Sequence, residues 1–200
     1  MGNAERRIAP IPVDVPIWDR FFTVAPLVIV GTKEGDGQNL APKHMAMPLG
    51  WDNYFCFVCS PQHQTQHNVE ETGEFTVSFL RPDQVVAASL AAAPRAQDSS
   101  KPSLSAIPTM PARRVDAPLV RDAYLWLECE LERVIGGFGR NTLIIGRVVA
   151  AAVDESAMRT SDADDADVIH VDPLLVYLSP GRVARVSESF SFPYHVDFTI

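Results

Sequence analysis

The fold is decided by the stretch from Leu27 to Leu80, which opens with LVIVGTKEGDGQNLAPKHM and closes with YFCFVCSPQHQTQHNVEETGEFTVSFL. Three apolar runs, LVIVGT, YFCFVC and EFTVSFL, are separated by segments rich in Gly, Pro, Asn and Ser, which is typical of β-strands joined by turns. The pair Asp36-Gly37 predicts a hairpin, so the first strand doubles back into the segment from Asn39 to His44. The stretch therefore predicts neighbouring strands with polar residues at their ends.

The rest of the chain adds strands and few helices. YLWLECELERVI, from residue 124, alternates apolar and polar side chains as a two-faced strand does. TLIIGRVVAAAV, from residue 142, is a long strand in which Gly146 marks a bulge or bend. PLLVYL and RVARV predict two short strands, and DQVVAASLAAA after Pro82 is the best helix candidate. Because helices do not alternate with strands, we predict a mainly β, antiparallel barrel or sandwich and exclude a parallel α/β fold.

Several segments carry weaker signals. Residues 95–118 are rich in Pro, Ser and Ala and predict a long surface excursion. Residues 154–167 are acidic but fail the EF-hand pattern, so a solvated loop is expected. IWDRFF, from residue 17, is either one helical turn or an extended arm, and the aromatic tail either packs down or crosses an interface. We expect one domain over residues 1–200, with a core at roughly 24–153 and C-terminal strands and tail at 168–200.

Composition excludes some function classes. The chain has 200 residues, of which 46% are hydrophobic and 21% charged, so it is globular. A net charge of −8 argues against nucleic acid as a partner, because phosphate binding needs clustered Lys and Arg. No apolar run approaches the roughly 20 residues of a membrane-spanning helix, and the N-terminus has no signal-peptide apolar region. A cytoplasmic, soluble protein is expected.

The cysteines and histidines do not predict a metal site. Cys56 and Cys59 lie three apart within a predicted strand and therefore face opposite sides, so with Cys129 they are interpreted as reduced, structural cysteines. His63 and His67 would share one face of a helix, but HQTQH lacks the glutamate of HExxH. We favour polar-surface or ligand-contact histidines over metal ligands.

Common nucleotide and hydrolase motifs are absent from the sequence, which contains no GxxxxGK[ST], GxGxxG or GxSxG. A short helix with Thr65 as N-cap and Gly73 as its stop would offer free N–H groups and a positive dipole end to a phosphate. Ser60, Gln64 and Asn68 supply further donors. From spacing alone, a capped helix with an ordinary polar surface remains the favoured interpretation.

Taken together, these segments resemble the flavin reductase-like, FMN-binding split-barrel family. The resemblance runs collinearly from about Pro26 to Val153, and its most specific part is the combination of TKEGDGQNLAP with TQHNVEETGEF. It implies a Greek-key split β-barrel with a few short helices, a homodimer, and FMN near the dimer interface. It also implies hydride transfer from NADH or NADPH to flavin, or service as a flavin-carrying redox protein.

The resemblance assigns cofactor-binding residues by position. It puts one set along the isoalloxazine edge: Asn39, Leu40, Ala41, Pro42, Lys43 and His44. It puts a second set at the ribityl phosphate, with Thr32 lining the same pocket: Ser60, Gln64, Thr65 and Asn68. No side chain is assigned as catalytic, because the flavin supplies the chemistry and the protein supplies position and electrostatics.

This chain departs from the family at four positions. Lys43 and His44 replace an aromatic or serine pair, and a lysine there would stabilise negative charge on the reduced ring. Asn141 and Arg147 stand where reductase members often have His and Glu, which bears on nicotinamide-dependent turnover more than on flavin binding.

Three functions follow from the sequence. The first is an NAD(P)H-dependent flavin (FMN) reductase that passes reduced flavin or electrons to a separate oxygenase or another acceptor. The second is an FMN-binding electron carrier or sensor without NAD(P)H activity of its own. The third is a flavin-free β-barrel binding module.

Overall fold

The chain is described by a computed structural model that covers residues 7–159 and 165–194. The strands are β1 (Thr23–Pro26), β2 (Val28–Glu34), β3 (Gly37–Lys43), β4 (Ala46–Pro48), β5 (Tyr54–Cys59), β6 (Glu74–Phe79), β7 (Thr109–Pro111), β8 (Pro118–Val120), β9 (Leu125–Phe138), β10 (Asn141–Val153), β11 (Leu174–Ser179) and β12 (Arg182–Val186). The α-helices are α1 (Gln64–Thr72), α2 (Val85–Ala91) and α3 (Asp165–Val171). Short 3₁₀ helices span Pro82–Gln84, Pro102–Ala106 and Glu155–Ala157.

The strands form one large and two small sheets. The large sheet has seven strands in the order β3-β2-β6-β9-β10-β5-β4, and each neighbouring pair is antiparallel. A three-stranded sheet has the order β1-β11-β12, and β7 pairs with β8. The predicted mainly β, antiparallel architecture is therefore confirmed.

The large sheet curls because of how its two edges are connected. β3 and β4 are the opposite edge strands, yet only His44 and Met45 separate them in sequence. Three Cα–Cα steps of about 3.8 Å cover the distance from the end of one edge to the start of the other. A flat sheet of seven strands would hold its edges far beyond that reach, since strands lie about 4.8 Å apart. The sheet therefore bends into a split barrel.

The hairpin between β2 and β3 sets the register of the site. Glu34 pairs with Gly37, so Gly35 and Asp36 form the turn, and Gly35 has the positive φ of 55° that favours glycine. The predicted hairpin is confirmed, but its turn begins one residue earlier than the Asp36-Gly37 pair indicated. Within the register, Thr32 lies directly opposite Asn39.

Two hydrophobic clusters cover the two faces of the large sheet. The inner cluster fills the barrel and includes Val28, Val30, Phe55, Phe57 and Phe75. The outer cluster includes Leu27, Ile29, Leu40, Leu80 and Val120. Strand β2 contributes alternate residues to both clusters, which is why its sequence is a continuous apolar run.

Strand β9 is two-faced, as the sequence predicts, at Glu130 and Glu132, which are exposed, but its polar face is covered nearer the start of the strand. Trp126 packs against the outer cluster, and Glu128 is buried with an exposed fraction of 5%. The Glu128 carboxylate accepts hydrogen bonds from the backbone N–H groups of Arg113 and Arg114 at 2.6–3.1 Å. This glutamate therefore serves to hold a loop onto the sheet.

Residues 95–118, predicted as a surface excursion, are partly ordered against the sheet. Pro102–Ala106 and Thr109–Pro111 are regular elements, and Ile107 is buried in the outer cluster. The sequence hid this packing because the few buried apolar residues of the segment, Ile107, Val115 and Ala117, form no extended periodic pattern.

The structure describes part of the other segments whose sequence signals are weak. The acidic segment predicted as a loop over 154–167 includes the start of α3 at Asp165, while residues 160–164 lie outside the described chain. Near the N-terminus, Arg20 N–H bonds the Ile17 carbonyl at 3.0 Å, so IWDRFF contains a single turn. The aromatic tail lies partly outside the described residues, and its described part exposes Phe190 and Phe192.

The cysteine interpretation agrees with the structure. Cys56, Cys59 and Cys129 are buried and not disulfide-bonded. Cys59 belongs to the inner cluster, whereas Cys56 lines a cavity outside it, as the opposite faces of a strand require. Burial raises the pKa of the Cys129 thiol to about 12, with a further contribution from Glu128. None of the helices in the described residues is long and apolar enough to cross a membrane.

Candidate functional site

A buried cluster of polar side chains lies where the β2–β3 hairpin meets the start of α1. We call this cluster the polar seam and define it as Thr32, Asn39, Gln64, Thr65 and Asn68. Asn68 Nδ2 donates to Thr32 Oγ1 at 2.8 Å, and Gln64 Nε2 donates to Asn68 Oδ1 at 2.7 Å. Asn39 Nδ2 donates to Thr65 Oγ1 at 3.3 Å. Four of the five are buried to 3% exposure or less, Gln64 being the exception, so the seam is part of the interior.

The local structure explains why these residues meet. Thr32 and Asn39 are cross-strand neighbours, so their side chains share one face of the hairpin. Thr65 and Asn68 are three apart on α1 and therefore share one face of the helix. The packing of α1 on this end of the hairpin buries both pairs together.

The helix begins earlier than the sequence predicts. His63 is the N-cap, with φ −94° and ψ 133°, and its side chain makes no capping hydrogen bond. The predicted N-cap at Thr65 is wrong, because Thr65 lies in the first turn and its hydroxyl accepts from Asn39. The predicted stop at Gly73 is confirmed, with φ 73° and an N–H that donates to Val69 O.

Lys43 extends the seam across the opening of the barrel. Its Nζ lies 3.4 Å from Cys59 Sγ on β5 and 5.9 Å from the centroid of the Phe57 ring. No ion pair within residues 7–159 and 165–194 involves Lys43, so its charge has no carboxylate partner there. Burial and then the Lys43 charge lower the pKa of His63. The site therefore has a positive potential in a chain of net charge −8.

His44 points to a different surface from Lys43. Its ring stacks on Tyr177 with centroids 4.4 Å apart, and the Tyr177 hydroxyl accepts from the Gly181 N–H at 2.8 Å. Burial first, and Lys43 second, lower the pKa of His44. His44 also lines an apolar cavity of about 340 Å³ that has no charged side chain in its wall. The structure therefore separates Lys43 and His44, which the resemblance had grouped along one ring edge.

The remaining predicted residues fall into three positions. Leu40 is buried in the outer cluster, and its carbonyl accepts from Lys101 Nζ at 2.9 Å. Ala41 and Pro42 are half-buried on the edge strand β3. Ser60 follows Cys59 at the end of β5, where its hydroxyl contacts the Gln62 side chain. Only Ser60 of these four presents a polar side chain near the seam.

Two basic residues that the sequence did not single out bind strand β3 from the 95–118 segment, and one of them, Arg95, reaches the seam. Arg95 makes a two-point ion pair with Glu34 at 2.8 and 2.7 Å, and its Nη2 donates to Asn39 Oδ1 at 3.3 Å. Lys101 binds the carbonyls of Leu40 and Ala91, at 2.9 and 2.5 Å. Both act from more than 50 positions away in sequence, and no motif spacing signals such contacts.

The two departures on β10 lie at different ends of the strand. Asn141 precedes Thr142, whose hydroxyl contacts the Gln66 side chain on α1. Arg147 lies on β10 five residues after Thr142. It is half-exposed and pairs with Glu130 of β9 at 2.5 Å. Asn141 therefore stands near the helix end of the site, whereas Arg147 is held away from it.

A second cavity lies behind the hairpin. It has a volume of about 600 Å³ and is bounded by Lys33, Gln38 and residues 109–112 and 115–118. Because Lys33 pairs with Gln38 next to the Thr32–Asn39 pair, these side chains face away from the seam. This cavity is therefore separate from the polar seam.

The donor set of the seam suits a phosphorylated ligand. Two threonine hydroxyls, three amides and Lys43, which forms no ion pair within the described residues, lie near the start of a nine-residue helix. Its N-cap side chain leaves the first-turn N–H groups uncapped. Such groups donate hydrogen bonds, and a phosphate only accepts them at neutral pH.

The fold and the seam define a class: an antiparallel split barrel with a buried donor cluster at its opening. The chain matches the family described as "Flavin reductase like domain" over residues 21–185. It belongs to this flavin reductase-like family, as the sequence motifs predicted.

Similar proteins fit this assignment. An uncharacterized protein of Methanothermobacter thermautotrophicus is 27% identical over 157 residues, which cover 76% of this chain and 73% of that protein. Flavoredoxin from Methanosarcina acetivorans has a TM-score of 0.75 at 17% identity, covering 96% of this chain and 97% of its own. An FMN-binding protein from Thermus thermophilus with bound p-hydroxybenzaldehyde has a TM-score of 0.72 at 21% identity, with coverages of 96% and 100%. These structural likenesses establish the split-barrel fold.

Proposed function

We propose that this protein is an FMN-binding oxidoreductase whose polar seam holds the ribityl phosphate. The observation that carries the proposal is the convergence of buried donors on Thr32, Asn39, Thr65 and Asn68 beside the unpaired cation of Lys43. The buried groups already hydrogen-bond one another, so a phosphate would accept only the protons that they leave unused, above all those of the Thr32 and Thr65 hydroxyls.

The residues divide their roles along the opening of the barrel. The hydroxyls of Thr32 and Thr65, the side chain of Gln64 and the hydroxyl of Ser60 would hold the phosphate and ribityl chain. The edge strand from Asn39 to Lys43 would lie along the isoalloxazine ring, with Lys43 supplying positive charge. Bound FMN would supply two-electron chemistry, taking hydride from a nicotinamide and releasing electrons to an acceptor.

The family assignment favours an NAD(P)H-dependent flavin reductase that delivers reduced flavin or electrons to a separate oxygenase or another acceptor. The second candidate is an FMN-binding electron carrier or sensor without its own NAD(P)H activity. The contact that favours this candidate is the Arg147–Glu130 ion pair, since Arg147 stands where reductases often have a glutamate. Steady-state oxidation of NADH and NADPH with added FMN separates the two, and no turnover above background favours the carrier.

We also propose a homodimer. Large apolar side chains are exposed around the 340 Å³ cavity: Trp18 (60%), Val24 (70%), Met45 (51%) and Met47 (56%). Exposed apolar patches of this kind mark interaction surfaces. Light scattering on the eluting protein is expected to give twice the mass of 22.0 kDa, and a monomer at all concentrations contradicts the proposal.

The decisive experiment on cofactor binding is a titration. The protein as purified is expected to be yellow, or to quench the fluorescence of added FMN on binding. Thr65→Val removes one seam hydroxyl at constant shape and should weaken FMN binding about tenfold. Thr109→Val is the matched control, because the Thr109 hydroxyl makes only an exposed 3.4 Å contact with Gln38. A colourless protein that takes up no FMN contradicts the proposal.

A further inference from the structure

A chain of hydrogen bonds links four side chains and enters the polar seam from Arg95. We call Glu34, Arg95, Asn39 and Thr65 the donor relay. The Glu34 carboxylate accepts both guanidinium N–H groups of Arg95, and Arg95 in turn donates to Asn39 Oδ1. Asn39 Nδ2 then donates to Thr65 Oγ1. Arg95 is thus the first donor of the relay: it donates to the Glu34 carboxylate on one side and, through Asn39, directs donation to the Thr65 hydroxyl on the other.

Arg95 decides which way the Asn39 amide faces. An amide has an oxygen that accepts and a nitrogen that donates, whereas a guanidinium only donates. Turning the Asn39 amide over would bring its NH₂ group against an Arg95 N–H, which is unfavourable. The Asn39 oxygen is therefore fixed toward Arg95 and its nitrogen toward Thr65.

The fixed amide in turn directs the Thr65 hydroxyl. A hydroxyl has one proton to donate and lone pairs that accept. Because Thr65 Oγ1 accepts from Asn39, its own proton is free for another partner, and no acceptor for it exists within the part of the chain that is described. Thr65 is 3% exposed, so this unused donor is shielded from solvent.

Arg95 itself is poorly suited to bind the ligand directly. Its charge is balanced by Glu34, and its Nη1 also donates to the Ser99 carbonyl at 2.6 Å. Four of its hydrogen bonds go to groups of this chain. A guanidinium so engaged acts through Asn39.

We propose that Arg95 is a positioning residue that sets the direction of the donor relay and so makes the seam select phosphorylated over unphosphorylated flavin. The inference rests on the proposed function and deepens it by assigning the preference for FMN over riboflavin. Phosphate accepts the Thr65 proton, whereas the terminal hydroxyl of riboflavin gains less from a site built of donors.

Removing Arg95 should reverse the relay. In Arg95→Met the Asn39 amide is free to turn and donate to Glu34, so its oxygen then faces Thr65 and captures the hydroxyl proton. The site loses a donor to phosphate while its shape is kept. We expect the dissociation constant for FMN to rise about tenfold and that for riboflavin to change less than about twofold.

The measurement is equilibrium titration of the full-length protein with FMN and with riboflavin, followed by quenching of flavin fluorescence. Arg114→Met is the matched control, because the Arg114 side chain is exposed and only its backbone N–H is engaged, with Glu128. It should leave both constants unchanged. Arg95→Lys keeps a donor toward Asn39 and should recover most of the FMN preference.

Folding is checked separately, because Arg95→Met leaves Glu34 without its partner. The double variant Glu34→Gln/Arg95→Met removes that unpaired carboxylate and should show the same selective loss. Equal weakening of FMN and riboflavin in either variant overturns the proposal, because a purely structural role would affect both ligands. A wild-type protein that binds neither flavin overturns the proposed function itself, which is a distinct result.

Discussion

Lys43 Nζ lies 3.4 Å from Cys59 Sγ, although Lys43 belongs to one edge strand of the seven-stranded order, β3, and Cys59 to β5, which neighbours the other edge strand. Only a sheet that curls back on itself brings these strands together. The contact puts Lys43, which has no carboxylate partner among the residues that the structure describes, at the opening of the barrel, next to the buried donors of the seam. The curling of the sheet thus both closes the barrel and places the positive charge of Lys43 at the candidate site.

The charge of Lys43 should tune a bound flavin. Lys43→Met removes a cation that stabilises the negative charge of the reduced ring, so the midpoint potential of bound FMN is expected to fall by on the order of 30 mV. Equilibration with a redox dye measures this shift. Lys33→Met is the control, since Lys33 pairs with Asp116 on the other side of the hairpin. An unchanged midpoint potential in Lys43→Met would contradict this role of Lys43.

The buried bond between Asn68 and Thr32 should contribute to stability even without ligand. Thr32→Val keeps the shape of the side chain but leaves Asn68 Nδ2 without its acceptor in the interior. The expected loss is about 1–3 kcal/mol of unfolding free energy, measured by urea denaturation. Thr109→Val should stay within about 0.5 kcal/mol of wild type, and equal losses in both variants would contradict the role of the bond.

His44 should titrate below its ordinary pKa of 6.5, because burial and then Lys43 disfavour the charged ring. The folded state therefore binds fewer protons at His44 than the unfolded state, so stability from the neutral ring is present above the unfolded pKa and falls as the pH drops below it. An NMR titration of the imidazole checks the pKa directly. Against His44→Phe, wild type should lose stability on acidification; a His44 pKa above 6.5 would refute the sign.

Gly31 should tolerate no side chain. A Cβ at this position would meet the carbonyl oxygen of Pro118 and lie 2.5 Å from Thr76 Oγ1, so strand β8 would have to move. Gly31→Ala is expected to cost about 1–3 kcal/mol, as overpacked cores do. Gly136→Ala serves as the control, because nothing lies within 4 Å of its Cβ position. Thermal or urea unfolding compares the two, and similar stabilities would show that β8 yields easily.

Local signals in the sequence predicted more of the fold than of the site. The strands around Val28, Phe57 and Val77 are visible because apolar residues recur with strand spacing, and Gly73 marks a helix stop through its positive φ. The pairing of Thr32 with Asn39 depends on the observed turn, because a turn at Asp36-Gly37 would have placed Thr32 opposite Ala41.

The remaining features depend on contacts that no local pattern reports. Arg95 reaches Asn39 across 56 positions, and Glu128 is buried only because the backbone of Arg113 and Arg114 folds over it. The sequence also did not show that the side chains of Lys43 and His44 face different surfaces, because this difference arises where the barrel closes. Tertiary packing, not propensity, decides each of these positions.

The short link between the edge strands β3 and β4 also bears on aggregation. An unpaired strand edge is a template onto which another chain can add as an extra strand. Here β4 is only three residues long and ends at Pro48, while on β3 the outward carbonyl of Leu40 is already taken by Lys101. Two edges that meet at His44 and Met45 leave little exposed backbone for such growth. The opening that would admit a ligand is thereby protected against aggregation.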